Sequence, residues 1–335
     1  MTKARTELIH GGDLDSARLR HPGAQDHWID LSTGINPWPY PLPDIPAEDW
    51  HRLPGRQALE ALKEEARHFY GAGQQTGLVA APGTQLLIQL LPRLFAPTRV
   101  EVAGFTYGEH ERCWQLTGHE VAITEPDRDP DPTTRIRVVT RPNNPDGLIL
   151  PRDRLMSWAN SLAARDGLLV VDEAFAEVAP DCSLAPEAGH PGLCILRSFG
   201  KFFGLAGMRL GFALGSPELQ RRIETALGPW AVPGPTLTIG TAALSDQDWS
   251  MRTRQALATQ ASQLDAVLHQ AGLEYLGGTD LFRLYAHAKA GEISEKLAER
   301  GLLVRSFPEE PRWLRFGLPP DAEAMDRLKQ ALAHV

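Results

Sequence analysis

Cysteine is scarce, with three residues in 335, at Cys113, Cys182 and Cys194. They form no CxxC pair and no metal-ligand spacing, so neither a disulfide scaffold nor a cysteine metal centre is expected. The simpler expectation is buried thiols in a reducing compartment. Basic excess is also missing: 34 Lys and Arg stand against 42 Asp and Glu, a formal net charge of -8. General nucleic-acid binding wants a basic surface, so that class is excluded. Small phosphorylated substrates stay open, because a few local arginines suffice for them. No apolar run approaches the roughly 18 residues that span a membrane. Met1 to His10 is polar and charged, unlike a signal peptide. A cytoplasmic protein without membrane or nucleic-acid partners is expected, and no metal.

What is present is ordinary for a globular chain, at 42% hydrophobic and 23% charged residues. The length suggests two domains. The opening stretch is rich in Gly, Pro and aromatics, as in Asn36-Pro37-Trp38-Pro39-Tyr40-Pro41. Proline removes donors and blocks the preceding residue from helix, so this reads as an extended arm. Short apolar runs then alternate with helical spacing. Strands are expected at Gly77–Ala81, Arg99–Ala103, Arg135–Thr140, Gly167–Asp172, Cys194–Ser198 and Arg209–Leu214. Strands separated by helices imply an α/β fold, a mostly parallel sheet covered on both faces. After a long helix, Trp249–Ala271, the last third reads strand, helix, strand, helix, a small α+β domain. The expected division is an arm at 1–40, a large domain at 41–227 and a small domain at 228–335.

Ligands of such sheets collect at the carboxyl ends of the strands. Four segments fall there. Ser198-Phe199-Gly200-Lys201-Phe202-Phe203 puts a lysine in an apolar, glycine-rich turn. Burial disfavours the ammonium and yields the neutral amine a Schiff base needs; the plain alternative is a loop lysine. Val171-Asp172-Glu173 ends a buried run with an acid, which suits a helix cap, a metal ligand or a partner for a cation. Arg141-Pro142-Asn143-Asn144-Pro145-Asp146-Gly147 is by default a turn. Ala81-Pro82-Gly83-Thr84-Gln85 offers backbone N–H groups to a phosphate at a helix start.

The order of these segments along the chain, with Tyr107 between Ala81–Gln85 and Arg141–Gly147 and Arg209 after the lysine, resembles the fold-type I pyridoxal-5′-phosphate (PLP) enzymes of the class I/II aminotransferase superfamily. The resemblance covers nearly the whole chain. It implies PLP as cofactor, Lys201 as the Schiff-base lysine and Asp172 as partner of the pyridine nitrogen. It implies Asn144 as donor to the phenolate oxygen and Tyr107 as the stacked aromatic. Gly83, Thr84, Ser198 and Arg209 would form the phosphate cup. Arg315, in Trp-Leu-Arg-Phe, would clamp a substrate α-carboxylate, which a bidentate fork suits. A homodimer is implied by resemblance alone.

His10-Gly11-Gly12-Asp13 and Asp30-Leu-Ser-Thr-Gly34-Ile-Asn36-Pro37 are similar to the branch that decarboxylates L-threonine O-3-phosphate in cobalamin biosynthesis. Phe175 fits this branch, standing where many aminotransferases carry a phenolate-binding tyrosine. His10, Gly34, Asn36 and Arg305 would then meet a small phosphorylated amino acid. The alternatives are a histidinol-phosphate-type aminotransferase and a non-catalytic PLP-binding scaffold. Three positions depart from the pattern: Gly200 replaces a hydroxyl residue, Leu53 a cross-subunit tyrosine, and Ala206 a proline.

Overall fold

The computed structural model describes residues 10–24 and 27–333. Twelve strands occur among them: β1 (Ile29–Leu31), β2 (Gly77–Ala81), β3 (Arg99–Ala103), β4 (Glu120–Thr124), β5 (Ile136–Thr140), β6 (Leu168–Asp172), β7 (Leu193–Ser198), β8 (Gly211–Gly215), β9 (Glu274–Thr279), β10 (Phe282–Ala286), β11 (Leu302–Ser306) and β12 (Trp313–Gly317). The chain forms two compact units, Trp38–Gln255 and Met1–Pro37 with Ala256–Val335.

The larger unit holds a seven-stranded sheet in the order β2-β8-β7-β6-β5-β3-β4. Five neighbouring strands, β7, β6, β5, β3 and β4, run parallel, and β8 runs antiparallel to both β7 and β2. Every residue of β2, β5, β6 and β8 is buried. That explains their unbroken apolar runs, since a strand covered on both faces has no polar side to show. The α/β class with a mostly parallel sheet is therefore as the sequence implies. No helix among the described residues is long and apolar enough to cross a membrane.

β5 carries a charged residue within its run. Arg137 is fully buried and donates to Glu101 Oε2 on β3 at 2.8 Å. It also donates to Thr124 Oγ1 at 2.8 Å and to the carbonyls of Glu125, Pro126 and Arg128. One guanidinium thus holds β3 and the loop after β4.

The smaller unit holds a five-stranded sheet in the order β1-β11-β12-β10-β9. β1 runs parallel to β11, and the other pairs are antiparallel. β1, contributed from the first forty residues, places Asp30 opposite Leu303. The opening segment up to Pro37 thus belongs to the smaller unit, while Tyr40 packs on Trp249 at 5.1 Å within the larger one. The chain passes from the larger unit to the smaller inside the helix Gln247–Gln270, whereas the sequence pattern suggests a division at 227/228.

Removing one partner of a fully buried pair leaves an uncompensated charge. Glu101→Ala is expected to lower the unfolding free energy by about 3–5 kcal/mol, read from urea denaturation.

Candidate active site

The four segments singled out in the sequence all reach one edge of the larger unit's sheet. Thr140 pairs with Asp172, Asp172 with Leu196, Ser198 with Gly211, and Gly211 with Ala81. These registers align the carboxyl ends of β5, β6, β7 and β2 with the start of β8. Cross-links reinforce the edge. Thr84 Oγ1 donates to the Arg197 carbonyl at 3.1 Å, and Thr106 Oγ1 to Thr140 Oγ1 at 2.8 Å.

Asp172 ends β6 with 4% of its surface exposed. Its Oδ1 accepts the Ala174 N–H at 3.1 Å, and its Oδ2 meets His110 Nε2 at 2.8 Å. An ionised carboxylate only accepts, so the imidazole donates here. His110 is itself buried, on the helix Glu109–Leu116 that follows β3. It stands three residues after Tyr107, whose ring meets it edge-on at 6.1 Å. The sequence reading passed over His110. Its signal was the Tyr-x-x-His spacing, which a helix start places on one side. Tyr107 donates to Gln85 Oε1 at 3.0 Å, and burial, helped by Glu109 and Asp172, pushes its phenol up to about 12.

Lys201 lies half-buried on the short helix Phe199–Phe202, which Ser198 precedes. Phe199, Phe202 and Phe203 are fully buried, and Phe203 stacks on Phe199 at 4.3 Å and on Trp249 at 5.6 Å. The turn is thus as apolar as its composition suggests. Gly200 has no room for the hydroxyl residue of the pattern: a Cβ there would stand 2.7 Å from the Ala206 Cα.

Gly83 has φ +85°, and a Cβ on it would stand 2.7 Å from Arg209 Nη2. The bare glycine lets the guanidinium lie against the turn before Thr84. Arg209 itself adopts a left-handed backbone, φ 53°, uncommon outside glycine, and donates to the Ala206 carbonyl at 3.2 Å. This cradle of glycine, hydroxyl and guanidinium fits a phosphate-bearing group, and the buried acid fits a cationic ring nitrogen. Asn144 is half-buried, while Asn143 is buried and donates to the Phe105 carbonyl at 3.0 Å and to Asp146 Oδ1 at 2.8 Å. Phe175 is buried, at 4% exposure.

A charged network sits beside this edge and was not anticipated. Arg197, the residue before Ser198, donates to Glu173 Oε2 at 2.6 Å and pairs with Glu177 Oε1 at 2.9 Å. Ser183 Oγ and the Leu184 N–H also donate to Glu173, at 2.6 and 2.7 Å. The Tyr70 ring lies 4.3 Å from the Arg197 guanidinium. Burial opposes the charge on Arg197, but Glu177 and Glu173 hold it firmly protonated. The network ties the ends of β6 and β7, between which Asp172 and Ser198 emerge.

The remaining predicted residues lie in the smaller unit. Arg305 on β11 and Arg315 on β12 are direct cross-strand partners. Arg315 is 6% exposed and donates through Nη2 to the Ser32 carbonyl at 2.5 Å. Its guanidinium stands 5.3 Å over the Phe282 ring, and that of Arg305 stands 5.2 Å over Phe307. Burial, with Arg305 adding, pulls Arg315 down to about 9, and Asp30 opposes this. Burial also lowers Arg305. Two cations side by side in a sheet are costly unless an anion joins them. Asn36 is buried at 2% exposure, Gly34 is buried, and His10 is exposed.

Comparison with known proteins agrees with this architecture. The pattern of the family "Aminotransferase class I and II" matches residues 42–332. The chain belongs to this family. Among curated members, a threonine-phosphate decarboxylase of Sinorhizobium sp is 42% identical over 333 residues, covering 98% of each chain. A threonine-phosphate decarboxylase of Pseudomonas aeruginosa is 41% identical, covering 97% of each. Among solved structures, histidinol-phosphate aminotransferase from Sinorhizobium meliloti in complex with pyridoxal-5′-phosphate superposes with TM-score 0.80. It is 21% identical and covers 98% of this chain and 95% of its own, a likeness of fold.

For this member of the class I and II aminotransferase family, the lowered Arg315 sets a pH dependence. A carboxylate ligand held by Arg315 needs the charged guanidinium, which is lost as pH rises through about 9. Calorimetry at pH 7.5 and pH 10 is expected to show weaker carboxylate binding at the higher pH. Arg315→Gln should bind weakly at both.

Proposed function

We propose that the protein decarboxylates L-threonine O-3-phosphate to (R)-1-amino-2-propanol O-2-phosphate, with PLP as cofactor, in cobalamin biosynthesis. The observation that carries this is the 42% identity to a threonine-phosphate decarboxylase across 98% of both chains. The paired cations Arg305 and Arg315 support it, since this substrate carries two anionic groups.

When bound, PLP supplies an electron sink conjugated to the substrate Cα. Lys201 is the amine that would hold it covalently. Gly83, Thr84, Ser198 and Arg209 would hold its phosphate, Tyr107 and Phe175 would pack on its ring, and Asn144 would donate to its phenolate oxygen. Asp172, steadied by His110, would keep a proton on the ring nitrogen. Arg315 would take the substrate carboxylate. Arg305, with His10, Gly34 and Asn36, would take its phosphate. Two anchors at opposite ends of a small molecule limit its rotation. They decide which bond at Cα aligns with the π system and therefore breaks. Selecting the carboxylate bond releases CO₂; selecting the C–H bond would lead to amino transfer.

We further propose that the protein is cytoplasmic and works as a homodimer. Trp50, Leu53 and Trp230 of the larger unit are each more than half exposed. Pro54, Arg56, Leu59, Leu227 and Trp230 line a cavity of about 280 Å³. Apolar surface of this kind suits a second copy. Leu53 stands where relatives carry a tyrosine, so a contact to the partner's phosphate cup would lack that hydroxyl.

Histidinol-phosphate amino transfer is the second reading, favoured by the shared fold and by a lower identity, 30% over 98% of this chain, to a histidinol-phosphate aminotransferase of Ralstonia nicotianae. Product analysis with L-threonine O-3-phosphate separates the two. CO₂ release with stoichiometric amine is expected; a keto product with pyridoxamine phosphate would refute the proposal. A bound cofactor with no turnover on any amino acid would favour a scaffold role. Lys201→Ala should abolish the cofactor adduct that borohydride fixes to the chain.

A further inference from the structure

Ser32 stands at a junction in the smaller unit that the known chemistry does not require. It follows β1 directly and is 2% exposed. Its carbonyl accepts from Arg315 Nη2 at 2.5 Å. Its hydroxyl donates to Asp30 Oδ1 at 2.6 Å, and its N–H reaches the same oxygen at 2.8 Å. The single hydroxyl proton is thereby committed, which leaves Oγ as an acceptor. The Gly12 N–H fills that role at 2.7 Å. Gly11 lies closer still: a Cβ on it would stand 2.3 Å from the Ser32 carbonyl oxygen. Gly12 adopts φ +90°, which lets the arm turn over this peptide.

We propose that Ser32 is a positioning residue for the phosphorylated substrate, orienting Arg315 through its carbonyl and latching the His10-Gly11-Gly12 arm through its hydroxyl. This rests on the reading above, in which Arg315 takes the carboxylate and the arm helps take the phosphate. One peptide then sets both anchors. Asp30 is the second element of the latch, because it fixes the rotamer that offers Oγ to Gly12.

The two functions of Ser32 separate cleanly on mutation. Ser32→Ala keeps the carbonyl and its hold on Arg315 but deletes the latch. Gly11→Ala keeps the hydroxyl but denies the arm its close approach. Ser32→Ala should weaken recognition of the phosphate and spare recognition of the carboxylate, whereas Gly11→Ala, whose Cβ would press on the carbonyl that holds Arg315, should weaken both.

The test is stopped-flow absorbance on the PLP-loaded chain, which gives binding constants for O-phospho-L-threonine and L-threonine before turnover. In the wild type the phosphorylated ligand should bind more tightly. Ser32→Ala should shrink that preference roughly five- to tenfold, the worth of one hydrogen bond, and Gly11→Ala should weaken both ligands. Equal weakening of both ligands in Ser32→Ala would show a merely structural role and overturn the proposal, as would an unchanged preference in that variant. A wild type that prefers the phosphorylated ligand and releases no CO₂, with the preference shrunk in Ser32→Ala, sinks the decarboxylase reading while the latch stands. A wild type without the preference overturns the latch.

Discussion

The hydrogen bond between His110 Nε2 and Asp172 Oδ2, 2.8 Å long and buried on both sides, is the contact around which the sheet edge is organised. A carboxylate with 4% exposure needs donors, and water cannot supply them all. The Ala174 N–H gives one and His110 the other. These two donors leave the acid aimed from the end of β6 at the place where β5, β7 and β2 also terminate. The Arg197–Glu173–Glu177 network does a parallel task one residue further along each chain. It joins β6 to β7 so that Asp172 and the Lys201 helix hold a fixed relation within the larger unit.

The smaller unit solves a different electrostatic problem. Arg305 and Arg315 face each other across β11 and β12, and burial makes the charge on Arg315 expensive. Asp30 offsets part of that cost, and a substrate anion would offset the rest. A site strained toward anions binds them selectively, because a neutral ligand leaves the repulsion in place. That preference would suit a substrate with a carboxylate and a phosphate.

Much of this was legible from residue order. The strands β2, β3, β5, β6, β7 and β8 announce themselves because strands buried on both faces are largely apolar. β4 escaped notice, since Glu120 and Ile123 are exposed on an edge strand and its pattern is mixed. β1 is three residues long, and Gly277-Gly278 within β9 reads as a turn. Lys201, Asp172 and Arg209 were visible because each follows or precedes such a run. His110 was not, because a single histidine on a polar helix carries no periodic signal. Arg197 and Glu173 were hidden for another reason: ion pairs between separate strands depend on register, which one sequence does not display. Asp30 and Ser32 were noticed only as parts of a motif, since their shared oxygen and the Gly12 contact require the folded arm.

The central claim is that Asp172, fixed by His110, keeps a bound cofactor's ring nitrogen protonated. The direct measurement is ¹⁵N magnetic resonance of the protein loaded with PLP labelled at the ring nitrogen. At pH 7.5 the wild type should show a pyridinium signal, and Asp172→Asn should move it to the range of neutral pyridine. A neutral-pyridine signal in the wild type would contradict the account.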